Sequence, residues 1–130
     1  MSRLVARVMT AALVVAVAAG LWWLIKPSSH FVPTKSAISS YKTTPVHPRD
    51  LTLRSSTLGS GDKGLRAVVV RESASTVVVA TRYQRFECNG CAQTAQGFVG
   101  SVTVHLHDPL GRRAVLDDFT HRAVRYQKLP

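Results

Sequence analysis

Cys88 and Cys91 enclose Asn89 and Gly90 in a C-x-x-C, the spacing in this chain most able to do redox or metal chemistry. A reactive dithiol of that kind relies on a helix N-terminus to stabilise its thiolate, in a thioredoxin-like βαβ frame. Here the motif follows a β-patterned run and precedes a Gln/Thr/Ala/Gly segment, so the pattern offers no such helix. Zinc would need two further ligands, and there is no second C-x-x-C. The sequence therefore predicts a local Cys88–Cys91 disulfide that pins a loop, with Asn-Gly supplying the tight turn. Closing so short a ring removes little chain entropy, ~1–2 kcal/mol by extrapolating the loop-length relation. In a small domain even that matters.

His105 and His107 lie two apart, so a strand would present both on one face, where His121 or Asp108 could complete a metal set. Thr103 continues the same face, and a solvated polar face accounts for the pair with fewer assumptions. No metal and no cofactor is expected, with His105, His107 and His121 as the weak alternative. Gly59, Gly61 and Gly64 match a dinucleotide fingerprint numerically, but a strand pattern follows them where phosphate binding needs a helix. Ser55, Ser56 and Ser73 have no placed base, and no G-x-S-x-G occurs. Asp117-Asp118 has the character of a turn more than of a catalytic pair. No catalytic residue is assigned.

Charge is the stronger signal. The chain of 130 residues carries 17 Lys and Arg against 7 Asp and Glu, a formal net charge of +10. Setting aside Arg3 and Arg7 leaves 15 basic residues against the same 7. A field of that sign favours anionic partners such as lipid headgroups or acidic wall polymers. Arg82, Arg85, Arg112, Arg113, Arg122 and Arg125 gather in the second half of the sequence and are the expected contacts. Arginine suits planar, bidentate contact with carboxylate or phosphate. A nucleic-acid partner is not expected: aromatics are few and form no stacking platform, and the topology below argues against it.

The element that must place all of this is residues 8–25, an apolar run with no charge and Thr10 as its only hydroxyl. As a helix these 18 residues reach about 27 Å, close to the hydrocarbon thickness of a bilayer. In lipid only a helix satisfies such a run's backbone. Arg3 and Arg7 precede it, and Trp22 and Trp23 stand at its far end, suited to the headgroup interface. Lys26, Lys35 and Lys42 on the outer flank reduce the charge asymmetry, but a tail of seven residues seldom translocates alone. Residues 1–7 are thus expected in the cytoplasm and everything after residue 25 outside, in a single-pass membrane protein with a signal-anchor. A cleaved signal peptide is the competing reading, because Ala16-Val17-Ala18 resembles a cleavage site. Against it, the run continues through residues 21–25 without a polar c-region. A buried core helix is a third reading. A lipoprotein anchor is excluded, since no cysteine lies near the run.

Residues 26–49 are rich in Ser, Thr, Pro and Lys, with prolines at 27, 33, 45 and 48, and predict an extended, semi-rigid stalk. Residues 50–130 change to period two. Strands are expected at 51–54, 65–72, 76–86, 98–107 and 113–116, with a last segment at 121–126. Residues 55–64 and 87–97 are expected loops, and 73–75, 108–111 and 117–118 turns. Residues 65–72 and 76–86 are close enough to pair as a hairpin. The predicted fold is mainly β: an N-terminal transmembrane helix, an extended stalk, and a small antiparallel β-sandwich or open barrel.

Residues 77–79, the cysteine that follows, and the run Val102-Thr103-Val104-His105-Leu106-His107-Asp108-Pro109-Leu110-Gly111-Arg112-Arg113-Ala114-Val115-Leu116-Asp117 carry a resemblance. They resemble a small extracytoplasmic β domain of uncharacterised membrane-anchored proteins and lipoproteins from high-GC Gram-positive bacteria. The likeness spans about residues 51–118. Where that family carries another cysteine after the first strand, residues 55–64 have none. It implies a location and a fold, and no activity. The function expected is a membrane-tethered extracytoplasmic interaction or structural module, non-catalytic, binding an envelope protein or anionic envelope polymer. The alternative is an envelope thiol–disulfide or metal-handling protein using Cys88, Cys91 and the histidines.

Overall fold

The computed structural model describes residues 28–92 and 96–127, so the expected anchor at 8–25 lies outside the described residues. The described residues are mainly β, with no helix among them. They fall into two compact units: Ser28 and Ser29 with Cys88–Ala92, and a larger one of His30–Glu87 with the residues after 95.

The eight strands are β1 (Ser28–Ser36), β2 (Ile38–Lys42), β3 (Asp50–Gly59), β4 (Lys63–Glu72), β5 (Thr76–Asn89), β6 (Gly97–His105), β7 (Ala114–Asp117) and β8 (Arg125–Tyr126). One sheet runs β1-β5-β4, with β7 also on β5, and the other runs β6-β3-β2-β8. The expected β4–β5 hairpin is present and antiparallel. The expectation of purely antiparallel pairing is corrected: β7 runs parallel to β5, and β8 parallel to β2. Both are short strands reached by a chain that has crossed from elsewhere, so no two-residue turn dictates their direction.

The core is built by alternation. Leu51 and Leu53 of β3, Val104 of β6 and Ile38 of β2 meet Val77 and Val79 of β5 and Val115 of β7, with Leu106 and Leu110 closing one end. Each strand contributes every second side chain, as the pleat requires.

The region expected to be a stalk is where the structure departs most from the pattern. Residues 28–36 and 38–42 are strand, and each sheet takes one piece of them. Pro33 falls on β1, an edge strand, where proline is tolerated. Pro45 and Pro48 lie in the connector between β2 and β3. The serines that looked solvated are packed: Ser36 is buried, and its carbonyl accepts the Thr81 hydroxyl at 2.8 Å.

The expected loop at 55–64 is also mostly strand, since β3 continues to Gly59 through a bulge against β6. At that bulge the buried Ser55 hydroxyl accepts from the Gly100 N–H at 3.1 Å and donates to the Gly100 carbonyl at 3.3 Å. Those bonds replace what the bulge removes from the ladder. What remains of the loop is a turn at 59–62, where Asp62 accepts from the Gly59 N–H at 2.7 Å and the Phe86 N–H at 2.9 Å. A β strand follows the glycine spacing.

Candidate functional site

Cys88 and Cys91 are disulfide-bonded, with Cα atoms 5.6 Å apart. Cys88 belongs to β5, which extends three residues beyond the expected strand end. Gly90 turns the chain between the cysteines at φ 82°, a conformation that suits glycine. No helix among the described residues is available to lower a thiol pKa.

The three histidines are not brought together. His105 Nδ1 lies 2.7 Å from Asp50 Oδ1, across the β3–β6 pair. His107 pairs with its neighbour Asp108 at 3.3 Å. His121 lines a shallow groove with Val70, Val78, Leu116 and Asp118. Among the described residues no three His, Cys, Asp or Glu side chains are grouped to hold a metal ion.

Asp117 ends β7 and is almost fully buried. Its Oδ2 accepts from the Ile38 N–H at 3.1 Å and the Thr120 hydroxyl at 3.0 Å, while Oδ1 accepts from the Phe119 N–H at 3.0 Å. The chain does turn here, as expected. One carboxylate also fastens the β1–β2 junction to β7.

Arg113 is a second fastening. Its Nη1 pairs with Glu72 Oε2 at 2.9 Å, Nη2 donates to the carbonyls of Asp108 and Pro109 at 2.7 and 2.9 Å, and Nε donates to Leu110 O at 3.2 Å. The other Glu72 oxygen accepts the His107 N–H at 2.7 Å. That backbone bond, followed by Arg113, holds the Glu72 carboxyl below its usual range. The side chain is only 10% exposed. Arg113 was expected to contact a partner, yet its guanidinium is already committed to the 108–113 turn.

The other five expected arginines are distributed over several elements. Arg82 is exposed on β5, Arg112 in the turn before β7, Arg122 after β7, and Arg125 on β8 in the other sheet. Arg85 is exposed on β5 and donates to the Tyr83 hydroxyl at 3.4 Å, which raises its pKa. The structure adds one that the sequence pattern missed. Arg66 of β4 stands directly opposite Arg82, and both are exposed. Counting back from the 73–75 turn would place Arg66 against Tyr83. A bulge between Val69 and Arg71 shifts the register by one and faces the two arginines.

Like charges directly opposed on a sheet repel, so this pair invites a carboxylate between them. Each of the chain's 7 Asp and Glu side chains has its contact elsewhere. Asp50, Glu87 and Asp108 face histidines. Glu72 holds Arg113, Asp118 lies 3.7 Å from Lys35, and Asp62 and Asp117 accept from backbone. Arg66 and Arg82 therefore have no carboxylate partner within the described residues. Val68 and Val70 beside them are more than half exposed. The site is an open β4–β5 face that combines two opposed guanidinium groups with apolar surface.

Comparison of the chain with protein-family models, curated proteins and solved structures finds no match to any.

Proposed function

We propose that this chain is a single-pass, membrane-tethered interaction module without catalysis of its own, anchored by residues 8–25 with its N-terminus in the cytoplasm. Its two sheets form a small β-sandwich outside the membrane, of the kind the resemblance to high-GC Gram-positive envelope domains implies. The module binds an envelope protein or an anionic envelope polymer, and the contact is centred on Arg66 and Arg82. The observation that carries this reading is the opposed arginine pair on an exposed face, with no Asp or Glu side chain beside it among the described residues. A ligand offering carboxylate or phosphate relieves that repulsion, which is a gain no internal partner supplies. Against the thiol–disulfide alternative, Cys88 is a strand residue with no helix N-terminus described beside it.

The test is crosslinking of the full-length protein in its native membrane. One stoichiometric protein or polymer should be captured, less of it at high salt, and none with Arg66→Glu and Arg82→Glu together. Capture that survives the double reversal but disappears when Cys88 and Cys91 become serine would transfer the function to the disulfide.

A further inference from the structure

The two ends of the larger unit differ, and one of them is built to meet lipid. At the end where β1 begins, β5 approaches its finish, β6 starts and the 59–62 turn joins β3 to β4. Phe31 and Phe86 pack there at a tilt of 53°, with ring centroids 5.5 Å apart, and the Lys63 ammonium lies 3.7 Å from the Phe31 centroid. Phe98 sits across from Leu58 at the start of β6. Phe31 is 41% exposed, and Phe98 and Val99 are each 47% exposed. The carboxylates at this end are both engaged: Asp62 by backbone N–H groups and Glu87 by His30 at 3.4 Å. Exposed aromatic rings beside a cation, with Asp62 tied to backbone N–H groups and Glu87 beside His30, fit the headgroup layer of a bilayer.

Chain length supplies the occupant. Four residues separate Ile25, the end of the apolar run, from His30, the first residue of the larger unit. Fully extended, that connection spans at most about 18 Å. The headgroup layer alone takes up roughly 5–8 Å of it. With residues 28–42 in the sheets, no stalk remains to hold the domain off the membrane.

We propose that the Phe31–Phe98–Lys63 end of the domain is seated in the headgroup region of the same bilayer that holds the anchor, leaving the Arg66–Arg82 face free to meet a partner. The seating rests on the tether proposed above and is tested separately from it. Full-length protein is labelled with 4-fluorophenylalanine, reconstituted in nanodiscs of mixed zwitterionic and anionic lipid, and examined by fluorine NMR with a headgroup-attached paramagnetic lipid. The chain has 4 phenylalanines, and single Phe→Leu variants assign their resonances. Phe119 is the internal control. It is 51% exposed and follows Asp118, whose N–H bonds to Val79, roughly 20 Å of strand away from Phe86.

Phe31 and Phe98 should relax severalfold faster with the lipid probe, and Phe119 should barely respond. A water-soluble probe should reverse that order, which confirms that the labelled domain is folded. If the protein co-floats with the discs and all exposed rings respond alike to both probes, the seating is wrong and the tether stands. If the protein leaves the discs on flotation, both fail.

Discussion

Arg113 and Arg82 are the same side chain put to opposite uses. Every nitrogen of the Arg113 guanidinium donates to a carbonyl or to Glu72, in a corner where the 73–75 and 108–113 turns meet. Arg82 stands in the open against another arginine. The first arrangement makes a turn rigid and has no capacity left for a ligand. The second adds nothing to the fold and keeps its capacity whole. Density of basic residues in a sequence thus says little about which of them bind. What decides is whether the chain has already supplied the acceptors.

Removing a saturated group should produce the largest effect. Arg113→Ala leaves the Asp108 and Pro109 carbonyls without their side-chain donor and takes one of two donors from the Leu110 carbonyl and from Glu72, which keep the Arg113 and His107 backbone N–H groups. Loss of charge-assisted bonds on this scale should cost about 3 kcal/mol and lower Tm by on the order of 10 °C or more. Arg113→Lys should rescue little, because a single ammonium cannot reproduce the fork. Calorimetry of both variants decides; wild-type stability in either would show that the corner is not a fastening.

Asp117 sharpens the comparison from the acidic side. Asp117→Ala strands the Ile38 and Phe119 N–H groups, the former in the buried interior. The expected loss is about 2 kcal/mol by urea unfolding. Asp118→Ala, which removes only a 3.7 Å contact with an exposed Lys35, should stay within about 0.5 kcal/mol. Equal losses from the two neighbours would mean that burial is not what separates them.

Much of this was legible in the sequence, and the failures have identifiable causes. Alternation in Val102, Val104 and Leu106 placed β6 and its core face correctly, because period two leaves little choice when one face is buried. The 73–75 turn and the hairpin it joins were equally plain. Residues 28–42 misled because their buried polar side chain, Ser36, meets the Ser56 hydroxyl, a partner twenty residues away that no local pattern reveals. Their prolines suggested a stalk, although an edge strand and a connector accommodate those within the described residues. At the site, Arg82 was an expected contact from the sequence, and its exposed placement opposite Arg66 depended on a one-residue bulge that no local pattern shows. Arg113 looked like its neighbour Arg112 until the turn folded carbonyls around it.

Acid should loosen the saturated corner and leave the open face untouched. Glu72 has a folded pKa lowered from its ordinary 4.5, chiefly by the His107 N–H and then by Arg113. A depressed carboxyl contributes stability that is fully present above the ordinary value and is lost as pH falls through the folded one. Unfolding midpoints should therefore decline below pH 4.5. In Glu72→Gln that part of the decline should be absent, with lower stability at neutral pH. An identical acid slope in both proteins would show that Glu72 gains nothing from its partners.

A small expected effect on stability is also the most discriminating, because its sign is opposite to the rest. Arg82→Glu converts the repelling Arg66–Arg82 pair into an attracting one across a hydrogen-bonded ladder. Cross-strand pairs of opposite charge contribute ~0.2–1 kcal/mol, so the variant should be slightly more stable than the wild type. The same substitution should abolish partner capture, since one guanidinium is gone and the other is occupied. Arg113→Ala differs in kind: it weakens the fold, and at temperatures where that fold persists capture should be intact. Stability rising while binding falls marks a group held in reserve for a ligand. If Arg82→Glu instead destabilises the domain, the opposed arginines have internal acceptors in solution, and the contrast with Arg113 disappears.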